Sequence, residues 1–401
     1  MTMTNDAPLF WISAGELSGD MHAAELAEAL AARRPKTRFT GMGGPHLRAM
    51  ENFVPLFGVE ELSVMGLGEV LTQLPRIVKL LGRIKGAMAE TRPDALICVD
   101  APSFNFRVIK TARALGIPVY YYISPKIWAW KEKRAYFLKK NVRRLISILP
   151  FEVDFYKKFD MTVDYVGSPL VDMMNLPRLD AVSPEQGLIG VLPGSRGKEI
   201  SSLMPEFGKA ARIMREAMPD LRFACAAAPG LDENRLRSLW PIDVPLELVS
   251  PENRYAFMRR CEMLLAASGT VTLEAALAGT PTLVAYKVSP LTWAVARMLV
   301  KVPYISLSNL ILGRDIFPEL LQKESDGANL AKRALAWLSP GKDGARPLDQ
   351  VRRDLVPLRG MMKKAGAVGE SGSQPGPEPG RTAAGLAASV ILEDMQSHLS
   401  R

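Results

Sequence analysis

The feature that most constrains this fold is a unit that recurs in both halves of the chain: a short apolar strand, a turn containing Gly or Pro, then an amphipathic helix. The unit occupies residues 9–33 and 95–115, and it resumes with a strand at 188–192 after a linker rich in Pro, Asp and Met. This alternation predicts parallel strands joined by right-handed crossovers, with ligands gathering at the carboxyl ends of the strands.

The length of the chain predicts more than one domain. Its 401 residues exceed what one hydrophobic core usually supports. We predict an N-terminal domain over 1–180, a C-terminal domain over 181–345 and a tail over 346–401. Within the tail, 370–380 is rich in Pro, Gly and Ser and should be flexible. A helix from about Thr382 to Met395 carries an apolar face that should dock on its own domain or on a partner subunit.

Charge and rare residues narrow the functional class. Lys and Arg number 51 against 42 Asp and Glu, a net charge of +9, which favours an anionic partner. No zinc-finger, RRM-like or basic-zipper pattern accompanies the charge, so nucleic acid is not the predicted partner. The three cysteines are far apart in apolar surroundings and should be reduced, as in a cytosolic protein. No metal-ligand spacing occurs, and we predict neither a metal nor a cofactor.

The chain is expected to meet a membrane only at its surface. Its first basic residue is Arg33, and the apolar stretch 8–14 is too short for a signal peptide core. No run of about 18 apolar residues suggests a spanning helix. The segment 64–88 carries a helical apolar stripe with basic residues on its other faces, which is typical of a helix that lies on an anionic membrane or accepts acyl chains. The alternative is an ordinary core-facing helix, kinked or interrupted at Pro75.

Two turns of the first half carry candidate functional groups. The sequence SAGELSGD (13–20) follows the first strand and opens a helix, where free backbone N–H groups favour anions and hydroxyl-rich ligands. Alternatively, Ser18 or Asp20 merely caps that helix. Neither GxGxxG nor a phosphate-loop motif occurs, which disfavours NAD and ATP. Asp100 ends an apolar strand and could take a proton from an attacking hydroxyl, or it could simply turn the chain.

Two further segments combine cations with other ligand groups. SPKIWAWKEKR (124–134) suits sugar rings and phosphates, unless its tryptophans pack in a core beside a solvated basic helix. PGSRGKE (193–199) has the layout of a diphosphate site at a helix start, with Arg196 as the favoured cation. Ser268-Gly269-Thr270 lies at an analogous helix start, and Glu274 could accept hydrogen bonds from ribose hydroxyls. The alternative is that Ser268 and Thr270 are only caps.

Together these segments resemble the lipid-A-disaccharide synthase family. The motifs that carry the resemblance include SAGELSGD (13–20), DAPSFN (100–105), SPKIWAWKEKR (124–134), LPFE (149–152), LPGSRGKEI (192–200), ASGTVTLEAALAGTP (267–281) and KVPYISLSNLILGR (301–314). The resemblance implies a GT-B architecture, that is, two doubly wound Rossmann-like domains with an interdomain cleft, plus here a C-terminal helical tail. It also implies a metal-independent, inverting transfer from UDP-2,3-diacylglucosamine to 2,3-diacylglucosamine 1-phosphate, which gives the β-1′,6-linked disaccharide 1-phosphate and UDP.

The resemblance also implies roles for individual residues. Asp100 is the candidate base, with Glu16 and Ser18 shaping the catalytic site. The implied UDP-binding residues are Gly194, Ser195, Arg196, Ser268, Gly269, Thr270, Glu274 and Asn309. The implied acceptor- and acyl-binding residues are Val64, Met65, Leu71, Leu74, Ile77, Trp128 and Trp130.

The family further implies a peripheral protein on the cytoplasmic face of the inner membrane of a Gram-negative cell, with a homodimer formed through the tail. This chain departs from the family at Ser168, where a histidine is usual, so no catalytic ring is expected there. Two other classes stay open on the residues alone: a UDP-sugar epimerase of the same fold, and a non-catalytic lipid-binding protein of the membrane surface.

Overall fold

The computed structural model describes residues 7–63, 74–226, 232–363 and 381–399. It divides into two compact units. The first comprises the described residues up to Pro169 together with those from Lys363 onward, and the second comprises Leu170–Met362. Each unit is built on one parallel β-sheet, so the predicted pair of doubly wound α/β domains is confirmed.

Both sheets have the strand order of a doubly wound fold. The first contains β1 (Leu9–Ala14), β2 (Arg38–Gly43), β3 (Phe53–Gly58), β4 (Ala95–Val99), β5 (Val119–Tyr122), β6 (Arg144–Ser147) and β7 (Asp164–Tyr165). The second contains β8 (Glu185–Leu192), β9 (Arg222–Ala226), β10 (Leu246–Val249), β11 (Cys261–Ala267), β12 (Thr282–Tyr286) and β13 (Glu319–Leu321). Their orders are β3-β2-β1-β4-β5-β6-β7 and β10-β9-β8-β11-β12-β13. The order reverses between β1 and β4 and between β8 and β11.

Helices connect these strands. They are α1 (Leu17–Arg33), α2 (Pro45–Arg48), α3 (Glu60–Ser63), α4 (Leu74–Thr91), α5 (Pro102–Ala114), α6 (Arg134–Asn141), α7 (Phe151–Lys157), α8 (Pro169–Met174), α9 (Leu176–Asp180), α10 (Gly197–Ala217), α11 (Glu233–Ser238), α12 (Arg254–Arg260), α13 (Thr270–Ala278), α14 (Pro290–Leu299), α15 (Leu307–Leu312), α16 (Gly327–Leu338), α17 (Pro347–Met362) and α18 (Ala383–Leu399). Within the described residues, none of them is long and apolar enough to cross a membrane.

The first sheet buries both of its faces. Successive side chains of a strand point to opposite faces, and so Trp11 belongs to one core while Phe10 and Ile12 belong to the other. The three cysteines lie on strands of the two sheets. As predicted, Cys98, Cys225 and Cys261 are buried and unpaired.

The terminal helix α18 packs on the first unit of its own chain. Ala387, Ala388 and Ile391 are buried in the core that α1 also covers. Asp394 pairs with Arg143 and accepts a hydrogen bond from the hydroxyl of Tyr120 at 2.8 Å. Of the two docking surfaces left open by the sequence, the structure therefore uses the helix's own chain. The homodimer stays a prediction.

The unit boundaries differ from those expected at 180 and 345. Residues 170–180 and 347–362 belong to the second unit, because α9 packs against α12 and α13, and α17 packs against α13, α15 and α16. The Arg359 guanidinium also links α17 to Asp180 of α9, with 2.7 Å between Nη1 and Oδ1. The segment 370–380 lies outside the described residues.

Helix α4 corrects one expected acyl contact. Its described part runs from Leu74 to Thr91. Because residues 64–73 lie outside the described residues, the kink or interruption at Pro75 stays a prediction. Ile77 is only 9% exposed and shares the buried face with Ile84 and Met88, because residues at helical spacing fall on one side. That face meets the core rather than acyl chains. Val64, Met65 and Leu71 lie outside the described residues, as does the side chain of Leu74.

Candidate functional site

The second unit contains a cavity of about 320 Å³ at the carboxyl ends of β8 and β11. These two strands are neighbours in the sheet and flank the point where the strand order reverses, which is where doubly wound sheets bind ligands. The lining residues are Leu192, Gly194, Ser195, Arg196, Glu199, Ala226, Arg254, Met258, Ala267, Ser268, Gly269, Thr270, Val271 and Glu274. The structure thus brings together seven residues that the sequence analysis had grouped as UDP contacts.

Two helix N-termini point at this cavity. Strand β8 continues through the turn at 193–196 into α10, and β11 continues through Ser268 and Gly269 into α13. The N-cap residue of α13 is Gly269, which has no side chain to occupy the first N–H groups. The interpretation of Ser268 or Thr270 as the cap is therefore wrong. Uncapped N–H groups and the helix dipole favour an anion here.

The turn before α10 requires glycine at one position. Gly194 has φ +101, a backbone conformation that L side chains rarely adopt, and a Cβ there would lie 2.7 Å from Oε2 of Glu199. The same Oε2 accepts a hydrogen bond from the backbone N–H of Arg196 at 3.4 Å. Glu199 therefore closes the turn, and it also lines the cavity.

Arg196 is the exposed cation of this cavity. Its side chain is 83% exposed, and Nη1 lies 3.5 Å from Oε1 of Glu199. An exposed ion pair of this kind contributes little stability, so the guanidinium can exchange its partner at small cost. Its planar fork suits two phosphate oxygens at once.

Glu274 and Arg254 form the deeper wall of the cavity. Arg254 Nη2 lies 3.2 Å from Oε1 of Glu274. Burial raises the pKa of Glu274, and the neighbouring guanidinium partly opposes that effect. The Nε of Arg254 is buried without a hydrogen-bond partner in the described part of the chain. Sequence reasoning missed Arg254, because no motif marks the start of α12 and only the fold brings it to Glu274.

Asn309 does not lie with the other predicted UDP contacts. It is fully buried in α15, where Nδ2 donates to the carbonyl of Phe317 at 2.8 Å and Oδ1 accepts from the N–H groups of Ile316 and Phe317. These bonds close the loop that follows α15. Its amide is committed to that loop, and it is not among the residues lining the cavity.

The first unit has a second strand-order reversal, between β1 and β4, and Asp100 lies there. Asp100 and Ala101 have φ values of +48 and +42, which cost about 1–3 kcal/mol each unless the surroundings hold them. Asn105 Nδ2 and the Tyr121 hydroxyl both donate to the Asp100 carbonyl, at 2.7 and 2.8 Å. The backbone is thus fixed, while the partly exposed Asp100 carboxylate forms no hydrogen bond or ion pair within the described residues.

One glycine of SAGELSGD serves close packing. A Cβ on Gly15 would lie 2.6 Å from Cβ of Ala101, whereas one on Gly19 would lie at an ordinary contact distance of 3.6 Å from Cβ of Asp100. Gly15 therefore lets the start of α1 approach the strained turn. Exposed Glu16 and Ser18 lie at this same edge, with Glu16 as the N-cap residue.

The interpretation that Ser18 or Asp20 caps α1 is wrong. Asp20 instead caps α2, since its carboxylate accepts from the N–H groups of Gly44 and His46 at 2.6 and 2.8 Å.

The two predicted acceptor tryptophans have different environments. Trp128 is half-buried, and its Nε1 donates to Glu152 Oε1 at 3.0 Å. Trp130 is 45% exposed and carries the Lys131 ammonium 3.8 Å from its ring centroid. Trp128 therefore fits the core interpretation, and Trp130 keeps a free aromatic surface.

Glu152 is a buried carboxyl that sequence reasoning left without a role. It lies in α7, is 1% exposed, and accepts a hydrogen bond from the Ser147 hydroxyl at 2.5 Å. Burial raises its pKa to about 7, although its hydrogen bonds with Ser147 and Trp128 oppose the shift. The available signal was the motif LPFE directly after a strand.

Comparisons with known proteins agree with this fold. The model of the family described as lipid-A-disaccharide synthetase matches residues 10–356. A lipid-A-disaccharide synthase of Myxococcus xanthus is 39% identical over 373 residues, which cover 91% of this chain and 96% of the relative. One from Nitrosococcus oceani is 40% identical over 344 residues, or 84% of this chain and 88% of the relative.

Solved structures share the architecture at low identity. The chain is similar to the UDP-GlcNAc 2-epimerase of Neisseria meningitidis, solved bound to UDP-GlcNAc, with TM-score 0.57, 12% identity and coverage of 98% of this chain and 100% of the other. It is also similar to UGT2 of Phytolacca americana, solved with UDP-2fluoro-glucose and pterostilbene, with TM-score 0.62, 15% identity and coverage of 97% and 100%. At such identities the likeness establishes the GT-B fold alone.

Proposed function

The chain belongs to the lipid-A-disaccharide synthase family, and from that premise we propose which molecules it joins and which residues carry the transfer. It is a glycosyltransferase that makes the lipid A disaccharide. We propose that the donor is UDP-2,3-diacylglucosamine and the acceptor 2,3-diacylglucosamine 1-phosphate. The products are then the β-1′,6-linked disaccharide 1-phosphate and UDP.

The observation that carries the UDP half of this proposal is the cavity of the second unit. The N-termini of α10 and α13 and the exposed Arg196 guanidinium meet there, an arrangement suited to a diphosphate. Glu274 is one turn into α13 and lines the same cavity, where its carboxylate would accept hydrogen bonds from the ribose hydroxyls. Because UDP leaves with its diphosphate charged, the groups that bind it also stabilise the leaving group.

For the acceptor substrate, we assign to Asp100 the role of the base that takes the hydroxyl proton. In the reaction the 6-hydroxyl oxygen of the acceptor attacks the anomeric carbon of the donor, and the bond from that carbon to the diphosphate oxygen breaks. The hydroxyl proton passes to the Asp100 carboxylate, which is unpaired and held on a fixed backbone. One displacement inverts the anomeric carbon. Exposed Glu16 and Ser18, at the same edge of the sheet, would orient the acceptor.

Both substrates are lipids, which supports contact with the cytoplasmic surface of a membrane. Helix α14 has no buried residue and exposes Leu291, Val295 and Met298, with Arg297 on the same helix. Exposed apolar side chains flanked by cations suit a helix lying at an anionic bilayer surface. Of the segment 64–88, which the resemblance assigns to acyl contacts, residues 64–73 lie outside the described residues.

Product analysis tests the proposed reaction. UDP-2,3-diacylglucosamine and 2,3-diacylglucosamine 1-phosphate are incubated with the protein, and the products are followed by mass spectrometry. We expect a disaccharide 1-phosphate and one UDP per disaccharide. An isomerised sugar nucleotide without disaccharide would instead indicate the epimerase, and unchanged substrates would indicate a lipid-binding protein.

Sedimentation with vesicles tests the membrane contact. We expect Met298→Glu to weaken binding to vesicles that contain phosphatidylglycerol, because it places a negative charge on the exposed face. Val356→Glu is the matched control, since Val356 is an exposed apolar residue of α17 in the same unit. Equal binding by wild type and Met298→Glu would remove α14 from the membrane contact.

A further inference from the structure

The loop that follows β5 contains four cations without acidic partners. Lys126, Lys131, Lys133 and Arg134 lie within nine residues, and Glu132 is the one acid of that stretch. Across the described ranges, none of the four cations forms an ion pair with a carboxylate. Clustered like charges repel, and an anionic ligand would relieve that repulsion.

Two of these cations lie on one turn, each against an aromatic ring. The Lys131 ammonium lies 3.8 Å from the ring centroid of Trp130, and the Arg134 guanidinium lies 4.9 Å from that of Phe106. The N–H of Arg134 donates to the carbonyl of Lys131 at 2.9 Å, which closes a turn between the two cations. Partial burial, and then Arg134 itself, lower the pKa of Lys131. The two charges are therefore close enough to act on one ligand.

A buried polar frame holds this loop in place. The Trp128 indole donates to Glu152, and Ser147 donates to the other oxygen of the same carboxyl. Ser124, at the start of the loop, is hydrogen-bonded to the buried Tyr156 at 2.9 Å. The cations consequently sit on a braced backbone rather than on a free surface segment, and a preformed site loses less entropy on binding.

The loop begins beside Asp100. In the register of β4 and β5, Val99 is paired with Tyr122, so Asp100 and Ile123 are the next residues of adjacent strands. Neighbouring strands lie about 4.8 Å apart. A ligand held by the loop therefore lies near the group to which we assign the proton transfer.

We propose that Lys131 and Arg134 bind the phosphate monoester of the acceptor, with the ring of Trp130 against its sugar. The inference rests on the proposed function, because it assumes that the acceptor carries a 1-phosphate. Such a monoester has roughly two negative charges near neutral pH, which two adjacent cations match. The amide-lined cavity of the second unit remains the diphosphate site.

The test compares two acceptors, 2,3-diacylglucosamine 1-phosphate and the same lipid without phosphate. For wild type we expect kcat/KM to be at least about tenfold higher with the phosphate. Lys131→Gln and Arg134→Gln should each raise KM for the phosphorylated acceptor by about tenfold, leave KM for the donor unchanged and remove the preference. Lys140→Gln is the matched control, because Lys140 is an exposed lysine of α6 beyond the loop.

Three outcomes overturn the assignment. Wild type that uses both acceptors equally does not recognise the phosphate. Variants that lose the same factor with both acceptors have lost something other than a phosphate contact. If the two variants keep the preference for the phosphorylated acceptor but bind phosphatidylglycerol vesicles less well, the cations contact bilayer headgroups instead. Absence of disaccharide from wild type with either acceptor contradicts the proposed reaction itself, so the two failures are distinguishable.

Discussion

The two strand-order reversals of this molecule have the same topology and different construction. In the second unit, the edge at β8 and β11 presents backbone N–H groups of two helices and one exposed arginine. In the first unit, the edge at β1 and β4 is a strained turn fixed by the buried Asn105 and Tyr121 side chains. Glycine also has a different role at each edge. Gly194 shapes an open turn, while Gly15 lets a helix pack against Ala101.

The two edges are suited to different tasks, anion binding in the second unit and proton transfer in the first. Backbone dipoles bind an anion without titrating, so they serve a ligand whose charge must be stabilised throughout. A carboxylate that accepts a proton must be unpaired and correctly aimed, which requires a rigid support. The comparison predicts that changes in the first unit alter proton transfer and stability, whereas changes in the second alter nucleotide binding and the departure of UDP.

The largest expected effect is on Asp100. Asp100→Asn should lower kcat by about 10³-fold, because the amide cannot take the proton, while UDP affinity stays at the wild-type value. Steady-state kinetics and calorimetric UDP titration measure both. Asp160→Asn is the matched control, since Asp160 also has a left-handed backbone, with φ +49. Substantial turnover by Asp100→Asn would remove the base from this edge.

The next effect is a pH dependence that comes from one buried carboxyl of the first unit. Burial raises the pKa of Glu152 from a usual 4.5 to about 7. Between these values the unfolded chain ionises this carboxyl while the folded chain keeps it protonated, so the free energy of unfolding falls as pH rises, by about 3 kcal/mol in total. Above pH 7 both states are ionised and the fall ends.

Glu152→Gln should remove that part of the pH dependence. Chemical denaturation of wild type and variant from pH 4.5 to 8 gives two curves whose difference isolates the group. Asp154→Asn, an exposed carboxyl on the same helix α7, is the control, and hydrogen bonding to Lys157 lowers the pKa of Asp154 instead. Parallel curves for wild type and Glu152→Gln would mean that Glu152 is ionised in the folded protein.

Arg196 should give the largest effect in the second unit. Arg196→Ala should lower kcat by about 10²-fold and weaken UDP binding, because the leaving diphosphate loses a charged donor. Lys198→Ala is the control, since Lys198 is exposed two residues further on and does not line the cavity. Equal losses in both variants would indicate a diffuse electrostatic effect rather than a contact.

Local patterns predicted more of the second edge than of the first. The turn at 193–196 and Ser268-Gly269-Thr270 are contiguous segments at helix starts, where free backbone N–H groups favour an anion, and their residues were grouped correctly in one cavity. The apolar face of α4 was ambiguous, because helical spacing is the same toward a core and toward a membrane. Ile77 was assigned to the wrong surroundings for that reason.

Long-range contacts explain what the sequence could not predict. Arg254 reaches Glu274 across 20 residues, and Asn309 is used by the loop that ends at Phe317. Likewise, the hydrogen bond from Trp128 to Glu152 depends on the pairing of β5 with β6. Such roles follow from which elements become neighbours, and that is decided by the packing of each whole unit.

Two glycine substitutions give the smallest effects and the sharpest contrast. Gly15→Ala should lower the free energy of unfolding by about 1–3 kcal/mol, because the new methyl meets Ala101 at 2.6 Å, and UDP affinity should not change.

Gly269→Ala should keep the wild-type melting temperature, since no atom lies within 4 Å of its Cβ position. It should weaken UDP binding by about tenfold, or about 1.4 kcal/mol, because the methyl enters the cavity. Differential scanning fluorimetry and calorimetric titration of both variants measure the contrast, and UDP affinity unchanged in Gly269→Ala would mean that the N-terminus of α13 does not contact the nucleotide.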